Sequence, residues 1–184
     1  RLEARPHGID LGPLEPRVPE ILSTPSARIE LAGGDILTEL DRLDRVLAEA
    51  EPEGLLLIGR RHLRSNNSWM HNVESLVKGQ ARCTLQMHPD DARERELANG
   101  SLASIASRVG QIAAPVEISD DLMPGVVSLP HGWGHGQPGS RLSVAAAHPG
   151  VNSNRLTDGR PLDPLSGNAV LNAIPVEVSA PKPS

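Results

Sequence analysis

The sequence predicts a small β-barrel, mainly β and mostly antiparallel, with one or two short helices and a preceding arm. Three observations carry that prediction. From residue 55 onward, short apolar or alternating runs are separated by Gly, Pro, Asn and Asp turn signals, the texture of short strands. Only residues 35–50 show sustained helical periodicity. The apolar complement is aliphatic: Leu, Ile and Val make up a quarter of the 184 residues, with no Phe and no Tyr. That fraction lies above the roughly 20% below which chains tend to stay disordered.

Taken in order, residues 1–34 read as a linker or arm from an upstream domain. Pro6, Pro13, Pro16, Pro19 and Pro25 forbid a regular helix there. The run Thr24-Pro25-Ser26-Ala27-Arg28-Ile29-Glu30-Leu31 alternates near its end and predicts one short strand. Residues 35–50 predict a connecting amphipathic helix. Asp35 is its N-cap, and Ile36, Leu37, Leu40, Leu43, Val46 and Leu47 recur at three-to-four spacing. Glu51-Pro52-Glu53-Gly54 stops it, and a lone helix with such a stripe must dock on something. Residues 51–179 predict the barrel. Its strands are Leu55 to Ile58, Arg82 to His88, Ser101 to Arg108, Gln111 to Ile118, Val126 to Leu129, and Ala169 to Ser179 interrupted by Pro175. Pro89-Asp90-Asp91 opens a short helix running to about Ala98, closed by Asn99-Gly100, and Val109-Gly110 turns a hairpin. Residues 180–184 form a Pro-rich tail.

Composition excludes several classes. No uncharged stretch supplies the ~20 apolar residues needed to cross a bilayer; Leu122 to Ser140 lacks charge but is broken by three prolines and five glycines. The start shows no secretory signal, so the expected compartment is the cytoplasm. Cys83 is the single cysteine, unable to form an internal disulfide or a cysteine-ligated cluster. A net charge of −5 and a pI near 5.8 argue against nucleic acid as a partner.

Three segments carry candidate chemistry. The first, Gly59-Arg60-Arg61-His62-Leu63-Arg64-Ser65-Asn66-Asn67-Ser68-Trp69, leaves an apolar strand, and residues 59–82 hold a local net of +4 inside an acidic chain. Arginine forks match phosphate oxygens and Asn and Ser read polar ring edges, although a solvated basic loop would look the same. The second is Pro130-His131-Gly132-Trp133-Gly134-His135-Gly136. Its glycines make a helix, and so a zinc site from His131 and His135, implausible; they suit a backbone approaching a flat ligand, or a Trp plugging one end of the barrel. The third, Asn152-Ser153-Asn154-Arg155-Leu156-Thr157-Asp158 with Asp163-Pro164, is by itself a turn-rich loop whose role depends on lying beside the other two. Cys83, mid-strand on the apolar side, reads as a structural thiol.

In combination these blocks resemble the C-terminal molybdopterin-dinucleotide-binding domain of the dimethyl sulfoxide reductase superfamily, which includes formate dehydrogenases and nitrate reductases. The match rests on Thr24-Pro25-Ser26-Ala27-Arg28-Ile29-Glu30-Leu31, on Gly59-Arg60-Arg61 and its loop, and on His88-Pro89-Asp90-Asp91-Ala92 through Asn99-Gly100, Val109-Gly110 and Pro124-Gly125. Its last part is His131-Gly132-Trp133-Gly134-His135 through Asn152–Asp158 to Asp163-Pro164. It spans about residues 21–179. Ala27-Arg28 stands where the family often has Gly-Lys, Asn99-Gly100-Ser101 where it often has Asp-Gly-Asp, and Asn66-Asn67-Ser68-Trp69 where many members carry a His-Thr and Thr/Ser-rich stretch.

The resemblance implies a double-psi β-barrel that helps hold a bis(molybdopterin guanine dinucleotide) cofactor carrying Mo or W. It implies that Gly59, Arg60, Arg61, Leu63, Arg64, Ser65, Asn66 and Asn67 face the pyrophosphate and pterin. His131, Trp133, Gly134 and His135 would flank the pterin, and Asn152, Asn154 and Leu156 bond or cover it. The metal's protein ligand and a 4Fe-4S cluster would come from upstream domains of the same polypeptide, its expected partners together with a small substrate such as formate or nitrate. By itself this fragment would be inactive, and no catalytic or metal-ligating residue is assigned to it. Two other readings are a stand-alone double-psi barrel recognising proteins, and a small zinc hydrolase that lacks a third ligand.

Overall fold

A computed structural model describes residues 3–49 and 54–181. The chain divides at Glu49/Ala50 into two compact units. The first is irregular until α1 (Gly34–Ala48). Gly33, not Asp35, is the N-cap and gives no side-chain bond; Asp35 falls in the first turn, where its charge complements the helix dipole. The stripe from Ile36 to Leu47 is where the periodicity places it, yet no α1 residue is buried. The stop at Glu51-Pro52-Glu53 lies outside the described residues. The short strand expected within Thr24–Leu31 does not form. Thr24 Oγ1 donates to the Arg28 carbonyl at 2.7 Å and Ser26 Oγ to Glu30 Oε1 at 2.8 Å, and these local bonds close a turn that outcompetes extended chain.

The second unit is a closed barrel. Its elements are β1 (Leu55–Arg60), α2 (Glu74–Val77), β2 (Leu85–Met87), α3 (Pro89–Glu94), β3 (Leu102–Ala106), β4 (Gln111–Ile118), β5 (Val126–Pro130), α4 (Ser143–Ala147), a 3-10 turn (Ser153–Leu156) and β6 (Ile174–Ser179). The strands close in the order β1-β5-β2-β4-β3-β6. Pairs β1/β5 and β2/β4 are parallel, and the other four are antiparallel. Advancing every strand number by three maps this set of pairs onto itself, and all six pairs join a strand of the first half (β1–β3) to one of the second (β4–β6), so the two halves interlock throughout. This is the double-psi β-barrel.

Period-two burial builds the core. Leu55 and Leu57, Leu85 and Met87, Ile112, Ala114 and Val116, and Ile174, Val176 and Val178 all point inward, with Ile105, Val127 and Leu129. Each large aliphatic side chain so enclosed contributes roughly 1.5–3 kcal/mol, which lets the core close without Phe or Tyr. Pro175 does not interrupt β6. It lies opposite Leu56, in the half of β6 that pairs only with β1 before β3 joins at Glu177, where a missing N–H is tolerated. β2 starts at Leu85 and not Arg82, because the Arg82 guanidinium bonds back to the Leu76 and Lys78 carbonyls. α3 stops at Glu94, and Glu96 turns left-handed (φ 54°), short of the expected Ala98. The hairpin at Val109-Gly110 is present, with Ser107 N donating to the Gly110 carbonyl at 2.8 Å. α2, α4 and the 3-10 turn, of four or five residues each, are too short to carry a periodic signal.

Candidate functional site

The parallel register of β1 and β5 sets Arg60 beside Pro130. Loops leaving the carboxyl ends of neighbouring parallel strands start side by side, and such ends are where open crevices form. The first and second candidate segments therefore meet through topology alone. His131 N donates to the Arg60 carbonyl at 3.4 Å. The Asn67 side-chain oxygen accepts from Arg61 Nη1 and lies 2.8 Å from His131 Nε2. Because one acceptor serves both, the His131 proton resides on Nε2. Burial, and then the Arg61 charge, hold His131 below the ordinary imidazole range, so the ring is neutral near pH 7.

Packing fixes the second loop. Gly132 has φ +88°, and a Cβ there would lie 2.2 Å from the Asn67 carbonyl oxygen. Gly134 (φ +111°) sits so close that a Cβ would be 2.6 Å from Asn152 Cβ. The N–H groups of Gly134 and His135 share the Pro149 carbonyl at 2.8 and 3.0 Å. The third segment thus closes on the second. Asn152 Oδ1 accepts from Asn154 N at 3.0 Å and starts the 3-10 turn, and Arg108 Nε donates to Asp158 Oδ2 at 2.6 Å beyond it.

A cavity of about 380 Å³ opens where these segments converge. Gly59, Arg61, His131, Gly132, Ser153, Asn154, Thr157 and Asn172 line it on a floor of Leu57, Leu129 and Ile174. Polar groups over an apolar floor suit a flat heterocycle with a polar edge. Asn172 Oδ1 accepts from Gly59 N at 2.8 Å; it lies outside all three candidate segments, whereas Ser153 and Thr157 fall within the third without having been given a role of their own. Asn172 lies in the chain running up to β6, with no motif to mark it.

Not every expected site residue faces this cavity. Gly59, Arg61, His131 and Asn154 do. Asn66 and Asn67 are left-handed (φ 42° and 63°) and shape the loop, with Asn67 orienting Arg61 and His131. Arg60 points the other way, as alternation along a strand requires. Its Nη1 donates to the Ser128 carbonyl at 2.6 Å, and its Nη2 to the carbonyl and hydroxyl of Thr84 at 2.9 and 2.8 Å. Arg64 lies on that far side too. Leu63 is fully exposed, Ser65 is buried, and Leu156 is a core residue with no exposed surface, so the Leu156 side chain covers no ligand.

Trp133 is buried, closer to a plug than to an open stacking face. Its ring meets the sites where a Cβ on Gly150 would sit, and stacks on His71 with centroids 4.0 Å apart, tilted by 32°. His71 Nδ1 is 2.7 Å from His135 Nε2. Burial and then His135 push the His71 imidazole down, partly opposed by a bond to the Gly132 backbone. His71, unmarked in the sequence, is what fixes Trp133 and His135. As for zinc, His131 and His135 are bonded to different partners, and among the described residues no three His, Cys, Asp or Glu side chains group to hold a metal. No helix of the described residues is long and apolar enough to cross a membrane. The Cys83 thiol, pushed up by burial, accepts from Val151 N at 3.3 Å.

The family model described as molydopterin dinucleotide binding domain matches residues 55–175. The chain is 28% identical to a tetrathionate reductase polypeptide of Salmonella typhimurium over half of its own length, and 35% identical to the alpha chain of the F420-dependent formate dehydrogenase of Methanocaldococcus jannaschii over a third of it. It is 27% identical to the putative dimethyl sulfoxide reductase chain YnfE of Escherichia coli over 62% of its length. In these three the match spans only 11%, 9% and 14% of the relative. Among solved structures, acetylene hydratase from Pelobacter acetylenicus superposes with a TM-score of 0.58 at 20% identity, covering 78% of this chain and 20% of that one.

Proposed function

This chain belongs to the molydopterin dinucleotide binding domain family, and from that membership we propose that its 380 Å³ cavity seats the pterin end of a molybdopterin dinucleotide. The carrying observation is the convergence of the three loops on one cavity whose polar groups are the potential donors Arg61, Ser153, Asn154, Thr157 and Asn172 and the acceptor His131. These residues fit the group. Asn154 and Asn172 supply paired donor and acceptor atoms for a pterin edge. Arg61, held by Asn67, offers a positive fork to an anionic oxygen. Gly59 presents bare backbone, since a Cβ there would meet nothing nearer than 3.6 Å. The neutral His131 donates from Nε2 to Asn67, leaving Nδ1 to accept.

A cavity of this size takes one ring system, not the length of a dinucleotide. We therefore assign the rest of the cofactor, a second dinucleotide in a bis(guanine dinucleotide) form, and an iron–sulfur cluster to segments outside this chain. The match spans about a tenth of each relative, and Cys83 alone cannot ligate a cluster. When bound, the cofactor supplies two-electron redox chemistry at Mo or W for a small substrate such as formate or nitrate. The chain's own residues bind, orient and exclude water. On this reading the parent protein is an oxidoreductase and the isolated barrel does not turn over substrate.

The test is Arg61→Ala with Asn154→Ala in the intact protein, reading released pterin by fluorescence and metal by mass spectrometry. Loss of a charge-assisted and a neutral hydrogen bond, together about 2–4 kcal/mol, should lower cofactor occupancy at least tenfold under limiting supply. Full occupancy with an unchanged melting temperature would remove this cavity from cofactor binding.

A further inference from the structure

Helix α1 lies outside the residues 55–175 matched by the family model, and none of its residues is buried. Ile36, Leu37, Leu40 and Leu43 are 48–52% exposed and Leu47 is 73% exposed. At about 100° per residue, Ile36, Leu40, Leu43 and Leu47 fall within an arc of roughly 60°. Leu37 widens it to roughly 120°, the width of a helix face made for burial. We propose that this face docks in an apolar groove with a cationic rim, supplied by a segment of the same polypeptide outside these 184 residues. The inference rests on the parent-protein reading above but not on what the 380 Å³ cavity binds.

The charges on α1 select the partner. Asp44 falls inside the apolar arc, about 40° from Leu40 and about 20° from Leu37, so docking the leucines carries its carboxylate into the contact. Asp41 borders the arc on that side and Glu39 on the other. Among the described residues the Asp41 and Asp44 carboxylates make no ion pair and no hydrogen bond, while Glu39 is paired with Arg42. Arg45 donates from Nε to the Asp41 backbone carbonyl at 3.1 Å, and both arginines lie at the back of the helix, away from the arc. Burying an unpaired carboxylate is strongly unfavourable, so the groove must bring a Lys or Arg to Asp44. The C-cap residue Glu49 adds to the demand, since it sits where the helix dipole favours a cation. A second copy does not meet it. Two α1 faces would bring together only apolar groups and carboxylates, and fifteen residues give a seam of only about two heptads. An anionic lipid surface fails on the same charge, because interfacial helices carry Lys and Arg beside the apolar face. The same-polypeptide source follows from length. The match covers only 9–14% of each of the three relatives, so most of a parent of that size lies outside this chain.

The test places a benzophenone photo-crosslinker at Leu40 in the intact parent protein and reads intact mass and crosslinked peptides. Irradiation should join position 40 to an apolar peptide bearing Lys or Arg, from the same polypeptide and outside these 184 residues. The same crosslinker at Thr38, on the opposite face, should give at most about a tenth of that yield. Asp44→Lys should lower the yield at position 40 at least about tenfold, by setting like charges together, and Asp44→Asn should lower it less. Should Asp44→Lys misfold, the peptide joined with Asp44 intact still decides. A crosslink to a second copy, to another polypeptide or into residues 54–181 overturns the proposal, as does a peptide without Lys or Arg, equal yield at Thr38, or no crosslink at all. An intact mass near 19.6 kDa overturns the parent-protein reading with it, and a mass several times larger confines the failure to α1.

Discussion

At the scale of single residues, adjacent side chains of one kind do different work. Arg60 and Arg61 are indistinguishable in composition, yet Arg60, the last residue of β1, is half-buried as a strut bonded to Ser128 and Thr84, while Arg61, just beyond the strand, turns to the cavity with Asn67. The histidines divide likewise. His71 is 2% exposed and held low by burial and by His135. In the unfolded chain it takes a proton near the ordinary pKa of ~6.5; in the fold it takes one only at lower pH. Below that ordinary value the unfolded state binds more protons, so stability falls as pH drops through this window. His62 and His131 are shifted in the same direction and add to the trend. The urea midpoint should therefore decline from pH 7.5 to 5.5, and His71→Asn, neutral throughout, should flatten part of the slope. Identical slopes in the two proteins would show that His71 does not carry it.

At the scale of elements, the parallel pair β1/β5 is what assembles the site. Its register brings Arg60 to Pro130, and the loops that follow are then locked by close backbone approach. Gly132 is the tightest point between the first and second loops, left-handed and against the Asn67 carbonyl. Gly132→Ala should cost at least about 2 kcal/mol, from strain and the displaced loop. It should also raise the accessibility of Trp133, read as increased quenching of indole fluorescence by iodide. A variant with wild-type stability would mean that the two loops are not locked together. The expected strands were mostly legible because period-two burial is a local signal. The limits of β2, the strand expected within Thr24–Leu31 and the end of α3 were not. Side-chain bonds from Arg82, Thr24 and Ser26, and the left-handed turn at Glu96, decide those boundaries, and alternation carries no record of them.

At the scale of the whole molecule, the barrel accounts for 121 matched residues, numbers 55–175, while the relatives it matches are many times longer. The protein carrying this chain in cells should have an intact mass several times 19.6 kDa and contain molybdenum or tungsten together with iron. Mass spectrometry and elemental analysis of the native product check both. A free-standing product near the chain's own mass, without these metals, would return the barrel to the reading of a protein-recognition module.

The sequence by itself determined the fold class and the family. Strand alternation, turn residues and the order of three motif blocks are properties of neighbours in the chain, and each is legible there. Only the tertiary structure decided which side of the barrel each residue serves. It put Leu156 in the core, turned Trp133 inward onto His71, brought Asn172 to Gly59 across 113 positions, and split one basic loop between two sides of the barrel. The physical reason is the closed barrel. A residue's side is fixed by strand parity, but what it meets there is fixed by strands and loops far away in sequence, whose register no local pattern encodes.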